Sequence, residues 1–495
     1  MENLTKDVDV RASFARLPLP SVDLCDIAWV TINTLPDVAL LEIFDFYVEE
    51  ASIDAWYTLV HVCRKWRNVV FGSPRRLDLR LECTASTPVR EILNVWPVLP
   101  IAIRACGYEL WHMGNITAAL KHEDRIYQLD LLDISSSQLQ NVLAAMQQPF
   151  PALTHLQLRV DDETLVAPAS FLGGSVPSLQ SLRLCHIPFP GLPKLLLSTT
   201  LLTDLDLRRI PHSGYISPES MVTSLSMLTR LKRLFIEFES PRCRPDRQNR
   251  RSPPLARILL PVLAELQFRG VAEYLEDLVA RIDAPQLDDL NITFFHQLIF
   301  HTPQLTQFIS RTPNFKTHDD LEARVVFSDK DVSITLPQAS NGWLHLETSC
   351  RRSDWQLSSL TDFCSTSATS FPQTLIPAVE HLYIQSGFPQ PRWQNDIENN
   401  QWLELLHSFT AAKGLYISQA FTPRIVPALQ ELVGERVTEV LPALQTLFLE
   451  TLPGPGPVRE AIGLFVTARQ LAGHPIAVSR WQRESDELYE SGDEE

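Results

Sequence analysis

Residues 34 to 70 read TLPDVALLEIFDFYVEEASIDAWYTLVHVCRKWRNVV, and this stretch predicts two short amphipathic helices. Thr34 can cap the first helix together with Asp37, and Pro36 suits the first turn, where its missing N–H donor is not needed. Apolar residues recur three or four positions apart in both helices. The stripes are Leu40, Leu41, Phe44, Tyr47 and Val48, then Trp56, Leu59, Cys63, Trp66 and Val70. The stretch is therefore predicted to fold as a small helical unit.

Ile43 and Val62 fall partly off these stripes, so the two predicted helices leave apolar side chains uncovered. Exposed apolar patches usually mark a site for a partner. The alternative is an ordinary helical hairpin that packs on the next domain. The two interpretations differ in whether a set of apolar residues is exposed together or buried against residues 77 to 103, namely Leu35, Pro36, Ile43, Phe44 and Val62.

Three groups of residues in this stretch resemble the F-box family. Leu35-Pro36, Ile43-Phe44 and the run from Val62 to Arg67 match its Leu-Pro, Ile-Phe and Val-Cys-x-x-Trp-Arg signature in order and spacing. The resemblance implies a subunit that carries a substrate to a ubiquitin ligase, docked on a Skp adaptor that in turn binds a cullin. The residues that it assigns to adaptor binding are Leu35, Pro36, Leu40, Ile43, Phe44, Val62, Cys63 and Trp66. The acidic, Pro-rich chain is also similar in style to the large F-box families of fungi.

The rest of the chain repeats a motif with apolar residues at its first, fourth and sixth positions. Ten copies begin at Ile126, Leu153, Leu179, Leu202, Leu231, Leu263, Leu287, Val379, Ala412 and Leu444. Six copies have Pro two residues earlier, where it ends the preceding helix before a strand begins. The pattern resembles the leucine-rich repeat family, a curved stack of parallel strands backed by helices. The Asn or Cys that this family places three residues after the last apolar position of the motif is absent here. We therefore expect an α/β fold, a small helical F-box domain followed by an irregular leucine-rich-repeat-like α/β solenoid.

The predicted domain organisation follows from these two patterns. We expect a flexible segment at 1–30, the F-box-like domain at 31–75, the solenoid at 76–480 and an acidic disordered tail at 481–495. Leu77-Leu79-Leu81 and Ile101-Ile103 are candidates for two earlier strands. Alternating apolar residues predict hairpins in an irregular insert at 318–365, and Arg-rich residues 239–257 predict a solvated loop. Val458 to Leu471 predicts a final helix that covers the end of the sheet.

Composition narrows the function classes. The formal net charge is −16, which disfavours nucleic acid or an anionic membrane as the main partner. The amino terminus lacks the features of a signal peptide, no segment is apolar enough to span a bilayer, and the eight cysteines form no close pair, so they are expected to be reduced core residues in a cytoplasmic or nuclear protein. No catalytic motif is present, and His122-Glu123-Asp124 and His296 with His301 are isolated clusters. The chain is therefore not expected to be an enzyme or to bind a metal or cofactor.

Side chains on the outer face of the predicted sheet are candidates for binding a target protein. Alternation along each strand points the fifth residue of each motif away from the core. In the first run these residues are Gln157, Arg183, Asp206, Phe235, Gln267 and Asn291, and in the last three copies they are Tyr383, Tyr416 and Phe448. Rigid aromatic residues dominate binding hot spots, so we expect Phe235, Tyr383, Tyr416 and Phe448 to bind the target, flanked by Arg159, Arg208 and Arg269. The alternative is that these rings are covered as ordinary core.

Three functions remain open at this point. The first is the substrate receptor that the F-box resemblance implies. The second is a leucine-rich-repeat protein-interaction scaffold with no link to a ubiquitin ligase, in which the helical unit is a cap. The third is an enzyme with a divergent site, which would need a deep polar pocket with a converging acid and base.

Overall fold

The computed structural model describes residues 34–50, 55–84, 89–106, 113–160, 165–243, 256–295, 302–315, 321–337, 342–370, 375–393, 399–432 and 434–482. The chain divides into two compact units, Met1–Leu79 and Arg80–Glu495. The segment predicted to be flexible at 1–30, most of the Arg-rich loop and nearly all of the acidic tail lie outside the described residues.

The described part of the first unit, residues 34–50 and 55–79, contains three helices, α1 (Asp37–Glu50), α2 (Ala55–Val62) and α3 (Arg64–Gly72). Leu40 and Phe44 of α1 are fully buried, and the Phe44 ring centroid lies 4.7 Å from that of Trp66. The sequence predicted one continuous second helix from Trp56 to Val70, and this prediction is wrong. Cys63 has an extended backbone with φ −159°, and its Sγ accepts a hydrogen bond from the Trp66 backbone N–H at 3.5 Å. Cys63 therefore caps α3 and separates it from α2.

The second unit is built on a sheet whose strands follow the predicted repeats. The strands of this unit are β1 (Leu81–Cys83), β2 (Ile101–Cys106), β3 (Ile126–Ile134), β4 (His155–Val160), β5 (Ser181–Cys185), β6 (Asp204–Ile210), β7 (Arg233–Phe238), β8 (Ile258–Leu259), β9 (Glu265–Gly270), β10 (Ile282–Asp283), β11 (Asp289–Phe295), β12 (Glu322–Phe327), β13 (Asp331–Pro337), β14 (Trp343–Ser349), β15 (His381–Ser386), β16 (Gly414–Ile417), β17 (Thr446–Leu449) and β18 (Ala477–Arg480). Strands β8 and β10 pair with each other in a separate short sheet, and the other strands form the main sheet. All ten repeat copies contribute a strand, which confirms the predicted parallel sheet.

Helices connect these strands and cover one face of the sheet. They are α4 (Val89–Val95), α5 (Met113–Ala119), α6 (Ser136–Ala145), α7 (Leu192–Leu196), α8 (Pro218–Leu225), α9 (Ala272–Val279), α10 (Pro303–Arg311), α11 (Gln356–Ser370), α12 (Asn399–His407), α13 (Thr422–Gln430) and α14 (Pro457–Leu471). The apolar positions of each motif point toward them, as at Leu156 and Leu158, which are both buried. The core therefore lies between the sheet and the helices, and the opposite face of the sheet is called the outer face below.

The strands of the predicted insert lie inside the sheet. Strand β13 runs antiparallel to both β12 and β14, and the order across this region is β11-β14-β13-β12-β15. Strand β14 is parallel to β11, and β12 is parallel to β15. Because the two antiparallel pairings of β13 cancel, β15 runs in the same direction as β11. The parallel repeats consequently resume at β15 without a break in the sheet.

Two expectations at the ends of the solenoid need correction. Leu77 and Leu79 precede the first strand, which begins only at Leu81. Helix α14 does not cover the end of the sheet, because the chain continues into β18, which pairs in parallel with β17 and forms the edge. The apolar stripe of α14 instead joins the helical layer through Ile462 and Phe465.

A buried arginine anchors α14 to the segment that leads into β17. The guanidinium of Arg469 is fully buried and donates hydrogen bonds to the backbone carbonyls of Val437 at 3.0 Å and Leu444 at 3.0 Å, with longer bonds to Leu441 and Pro442. Burial lowers the pKa of this group. Carbonyl oxygens thus provide the polar partners that a buried cation requires.

Candidate functional site

Among the described residues of the first unit, five large apolar side chains are exposed. On α1 they are Val38, Ile43, Phe46 and Tyr47, and at the end of α2 the fifth is Val62. Ile43 is 49% exposed and Val62 is 53% exposed, which are high values for such side chains in a folded unit. We call these five residues the amino-terminal apolar surface.

The residues that the F-box resemblance assigned to adaptor binding differ in solvent exposure. Pro36, Ile43 and Val62 are exposed, whereas Leu35, Cys63 and Trp66 are half-buried. Leu40 and Phe44 are fully buried, so they support the helices from inside. Lys65 fixes the Leu35-Pro36 entry, because its Nζ donates a hydrogen bond to the Leu35 carbonyl at 2.6 Å.

Sequence reasoning missed part of this surface. Tyr47 was placed on the buried stripe of α1 but is exposed, and neither Val38 nor Phe46 was singled out. The sequence feature that could have predicted these exposed residues is that apolar side chains occupy more of the circumference of α1 than one buried stripe requires.

The outer face of the sheet carries the residues that alternation predicted. Every predicted outward position is exposed or half-buried, namely Gln157, Arg183, Asp206, Phe235, Gln267, Asn291, Tyr383, Tyr416 and Phe448. Phe235 stands apart from the three later aromatics, because β7 and β15 are separated by five strands in the sheet order. The four predicted target-binding aromatics therefore do not form one cluster.

Tyr383, Tyr416 and Phe448 form an aromatic stack across β15, β16 and β17. Their centroids are 4.1 Å apart for Tyr383 and Tyr416, and 4.2 Å apart for Tyr416 and Phe448, with nearly parallel planes. This follows from the register, which pairs the three residues directly with one another. Gly414 leaves room for the stack, since a Cβ there would lie 3.0 Å from the Tyr416 ring and 2.8 Å from His381 Nδ1.

Neighbouring side chains enclose much of the aromatic stack. Trp481 packs its edge against Tyr383 and Tyr416, with centroids 5.9 Å and 5.7 Å away, and the Arg324 guanidinium lies 5.7 Å from the Tyr383 ring centroid. Burial, then the nearby Glu322 and Tyr416, raises the pKa of the Tyr383 phenol. The stacked rings therefore turn their faces toward each other and offer mainly edges to a partner.

The arginines expected to flank this region are held by acids on the same face. Arg159 pairs with Asp133 at 2.9 Å, Arg208 with Asp206 at 3.1 Å, and Arg269 with Glu237 at 3.3 Å. Each pair links neighbouring strands or positions on one strand. These arginines belong to the earlier half of the sheet and not to the aromatic stack.

The described residues contain no group of three His, Cys, Asp or Glu side chains that could hold a metal ion. His122 to Asp124 lie in the turn after α5, and His296 and His301 lie outside the described residues. Burial raises the pKa of the Cys83, Cys243 and Cys350 thiols to about 11, which suits core cysteines. Cys106 departs from that expectation, because it is exposed. No helix in the described part of the chain is long and apolar enough to cross a membrane.

Comparison with known proteins gives little. No family model matches the chain, and no curated protein matches it. Among solved structures it is similar to the leucine-rich repeat-containing protein LegL7 from Legionella pneumophila, with 11% identity, over 80% of this chain and 98% of that chain, at a TM-score of 0.26. A likeness at that TM-score does not establish a shared fold. The long parallel sheet backed by helices is seen directly, and it makes this chain a mixed α/β repeat protein.

Proposed function

We propose that this chain is the substrate-recognition subunit of a Skp/cullin/F-box ubiquitin ligase. In this proposal the amino-terminal apolar surface binds the Skp adaptor, and the outer face of the sheet binds a target protein. The observation that carries it is the exposure of Ile43 and Val62 within the stretch that bears the F-box signature. The partners would place the protein in the cytoplasm, the nucleus or both.

The apolar surface supplies a physical reason for adaptor binding. Its five side chains stand on helices whose opposite sides are packed, so an adaptor meets preformed contacts rather than a mobile segment. Fully burying one such side chain contributes roughly 1.5–3 kcal/mol of free energy. Because each of the five is about half exposed, its burial against an adaptor would contribute about half of that amount. Five together yield several kcal/mol, enough to contribute to a specific complex after the entropic cost of association is met.

The proposal assigns no bond-making chemistry to this chain. Ubiquitin transfer would be performed by other subunits, and this chain would hold the target in place. Repeat proteins offer long continuous surfaces for that purpose. The outer face provides one, with ion pairs over its earlier strands and the aromatic stack over its later ones.

A repeat scaffold without a ligase is the second candidate. It is favoured by the second unit alone, since a continuous sheet with an uncovered face suits binding to a protein whatever the role of the three helices. In that case the apolar surface of the first unit would serve another contact. The two functions share a target surface and differ only in the adaptor.

Affinity purification of the full chain, followed by identification of co-purifying proteins, separates these functions. The ligase proposal predicts a Skp adaptor and a cullin in the eluate, together with one or more targets. Targets recovered without either ligase subunit would favour the scaffold. The chain with Leu471 replaced by Asp is a suitable control, because Leu471 is also an exposed apolar residue but lies on α14.

A further inference from the structure

The outer face of the sheet carries a different charge pattern on its earlier strands from that on its later strands. From β1 to β9 its arginines lie beside carboxylates of the same face. These ion pairs join Arg104 to Glu82 and Asp130, Arg159 to Asp133, Arg183 and Arg208 to Asp206, Arg233 to Asp204, and Arg269 to Glu237. The earlier strands therefore offer few unpaired charges to a partner.

Three carboxylates on the later strands have no such partner. Asp289, Glu322 and Glu347 lie on the outer face, because each alternates with buried residues along β11, β12 and β14. In the described part of the chain, none of the three forms an ion pair with a lysine or arginine, and Glu347 pairs only with His345, at 3.5 Å. Arg324 is the one lysine or arginine on the described outer face of β11 to β15.

The edges of the sheet do not neutralise this excess of carboxylates. At the edge where β12 and β14 end, the cations are matched in number by carboxylates, namely Lys330, Arg351 and Arg352 by Asp329, Asp331 and Asp354. At the opposite edge Lys413 pairs with Glu380 at 2.6 Å. The outer face over β11 to β15 is therefore negatively charged at neutral pH.

An exposed tryptophan lies beside one of the three carboxylates. Trp343 is 37% exposed, and its backbone N–H donates a hydrogen bond to Asp289 Oδ1 at 2.9 Å. Burial raises the pKa of Asp289, and this hydrogen bond offsets the effect only in part. A positive charge next to Asp289 would stabilise the carboxylate, and an indole ring attracts a cation through its face. Asp289 and Trp343 together therefore suit a positively charged side chain.

The three carboxylates are too far apart to share one small cation. Asp289 and Glu322 are separated by three strand spacings, about 14 Å, because β14 and β13 lie between their strands. Trp343 and Glu347 are four residues apart on β14, which is about 13 Å. An extended chain advances about 3.3 Å per residue, so these spacings match basic side chains placed several residues apart along one segment.

We propose that the outer face over β11 to β15 binds a basic segment of the target protein. Glu322 and Glu347 pair with arginine or lysine side chains of that segment, and Asp289 with Trp343 receives another. Arg324 leaves these positions open, since its guanidinium lies 5.7 Å from the Tyr383 ring centroid, toward the aromatic stack. The inference rests on the proposed target-binding role of the outer face, and charge complementarity of this kind selects and orients a partner.

Calorimetric titration of the full chain with hexa-arginine tests this surface. The peptide spans about 20 Å when extended, enough to reach two of the carboxylates at once. We expect saturable binding with one equivalent per chain at constant, near-physiological ionic strength. Hexa-citrulline, which keeps the shape of the side chains but carries no charge, should not bind.

Joint replacement Glu322→Gln and Glu347→Gln should weaken hexa-arginine binding about tenfold or more, since charge-assisted hydrogen bonds are lost. The matched control is Glu404→Gln with Glu460→Gln, which changes the net charge equally at exposed positions of α12 and α14. This control should leave the affinity unchanged. A chain that ends at Gln482, without the acidic residues 484–495, should also bind with unchanged affinity.

Four results would overturn the proposal. They are the absence of saturable binding, equal weakening by the control pair, loss of binding when residues 483–495 are removed, and unchanged binding by the Glu322 and Glu347 variant while its thermal transition is also unchanged. Because the titration contains no adaptor, its failure would leave the adaptor surface untouched. Failure of adaptor binding would likewise leave this surface as a binding site for basic segments.

Discussion

Replacing Ile43 and Val62 together with Asp should abolish co-purification of a Skp adaptor. Both side chains are about half exposed, so the substitutions remove little packing within the first unit. In a complex, however, each new carboxylate would be buried without a partner, which costs several kcal/mol. A combined loss of about 4 kcal/mol would weaken the complex roughly a thousandfold. Pull-down of the adaptor with each variant measures this.

The control for that result is Leu471→Asp, a substitution of the same kind on α14. It should leave adaptor recovery unchanged, whereas Trp66→Ala is a poor test, because Trp66 packs on Phe44 and its loss disturbs the unit itself. Circular dichroism should show all compared variants folded. Equal adaptor recovery with the double Asp variant and the unmodified chain would show that the amino-terminal apolar surface does not bind the adaptor.

Tyr416→Ser should lower the free energy of unfolding by about 3 kcal/mol, because the Tyr416 ring is the middle member of the aromatic stack. It loses contact with Tyr383 on one face and Phe448 on the other, as well as the edge of Trp481. From the sequence alone we expected Tyr383 and Tyr416 to bind the target, with ordinary core as the alternative. The stacking changes the expected result, and thermal or denaturant unfolding measures it.

Phe388→Ser provides the matched control for the aromatic substitution. Phe388 is 95% exposed, so its removal should change stability by less than about 0.5 kcal/mol. A Tyr416→Ser variant as stable as the Phe388→Ser variant, yet defective in target capture, would contradict the structural role of the stack. It would assign the three rings to target binding instead.

The repeats were predictable because their signal is local. A motif with fixed apolar spacing, preceded in six copies by Pro, determines which residues enter the core, and strands β3 to β7, β9, β11 and β15 to β17 follow that spacing. The break at Cys63 was not predictable from spacing, since the apolar stripe continues across it and only the extended backbone of one residue ends α2. Strand β18 was missed because residues 477–480 carry no copy of the motif.

The candidate sites were predictable only in part, because they depend on register and side-chain direction. Alternation placed Tyr383, Tyr416 and Phe448 on one face, but Trp481, which contacts the stack, directly follows β18, a strand that was not predicted from the sequence. The pairing of Arg183 with Asp206 likewise depends on which residues of β5 and β6 lie side by side. Apolar periodicity predicts which side chains point outward, but it does not predict which of those side chains contact one another across neighbouring strands.

Mixing the purified full-length chain with a purified Skp adaptor, followed by gel filtration with light scattering, measures whether the two proteins bind each other. We expect a stable complex with one copy of each protein at micromolar concentration, and no complex when Ile43 and Val62 are replaced with Asp. Separate elution of the unmodified chain and the adaptor under the same conditions, with the chain folded, would contradict the proposed role in a ubiquitin ligase.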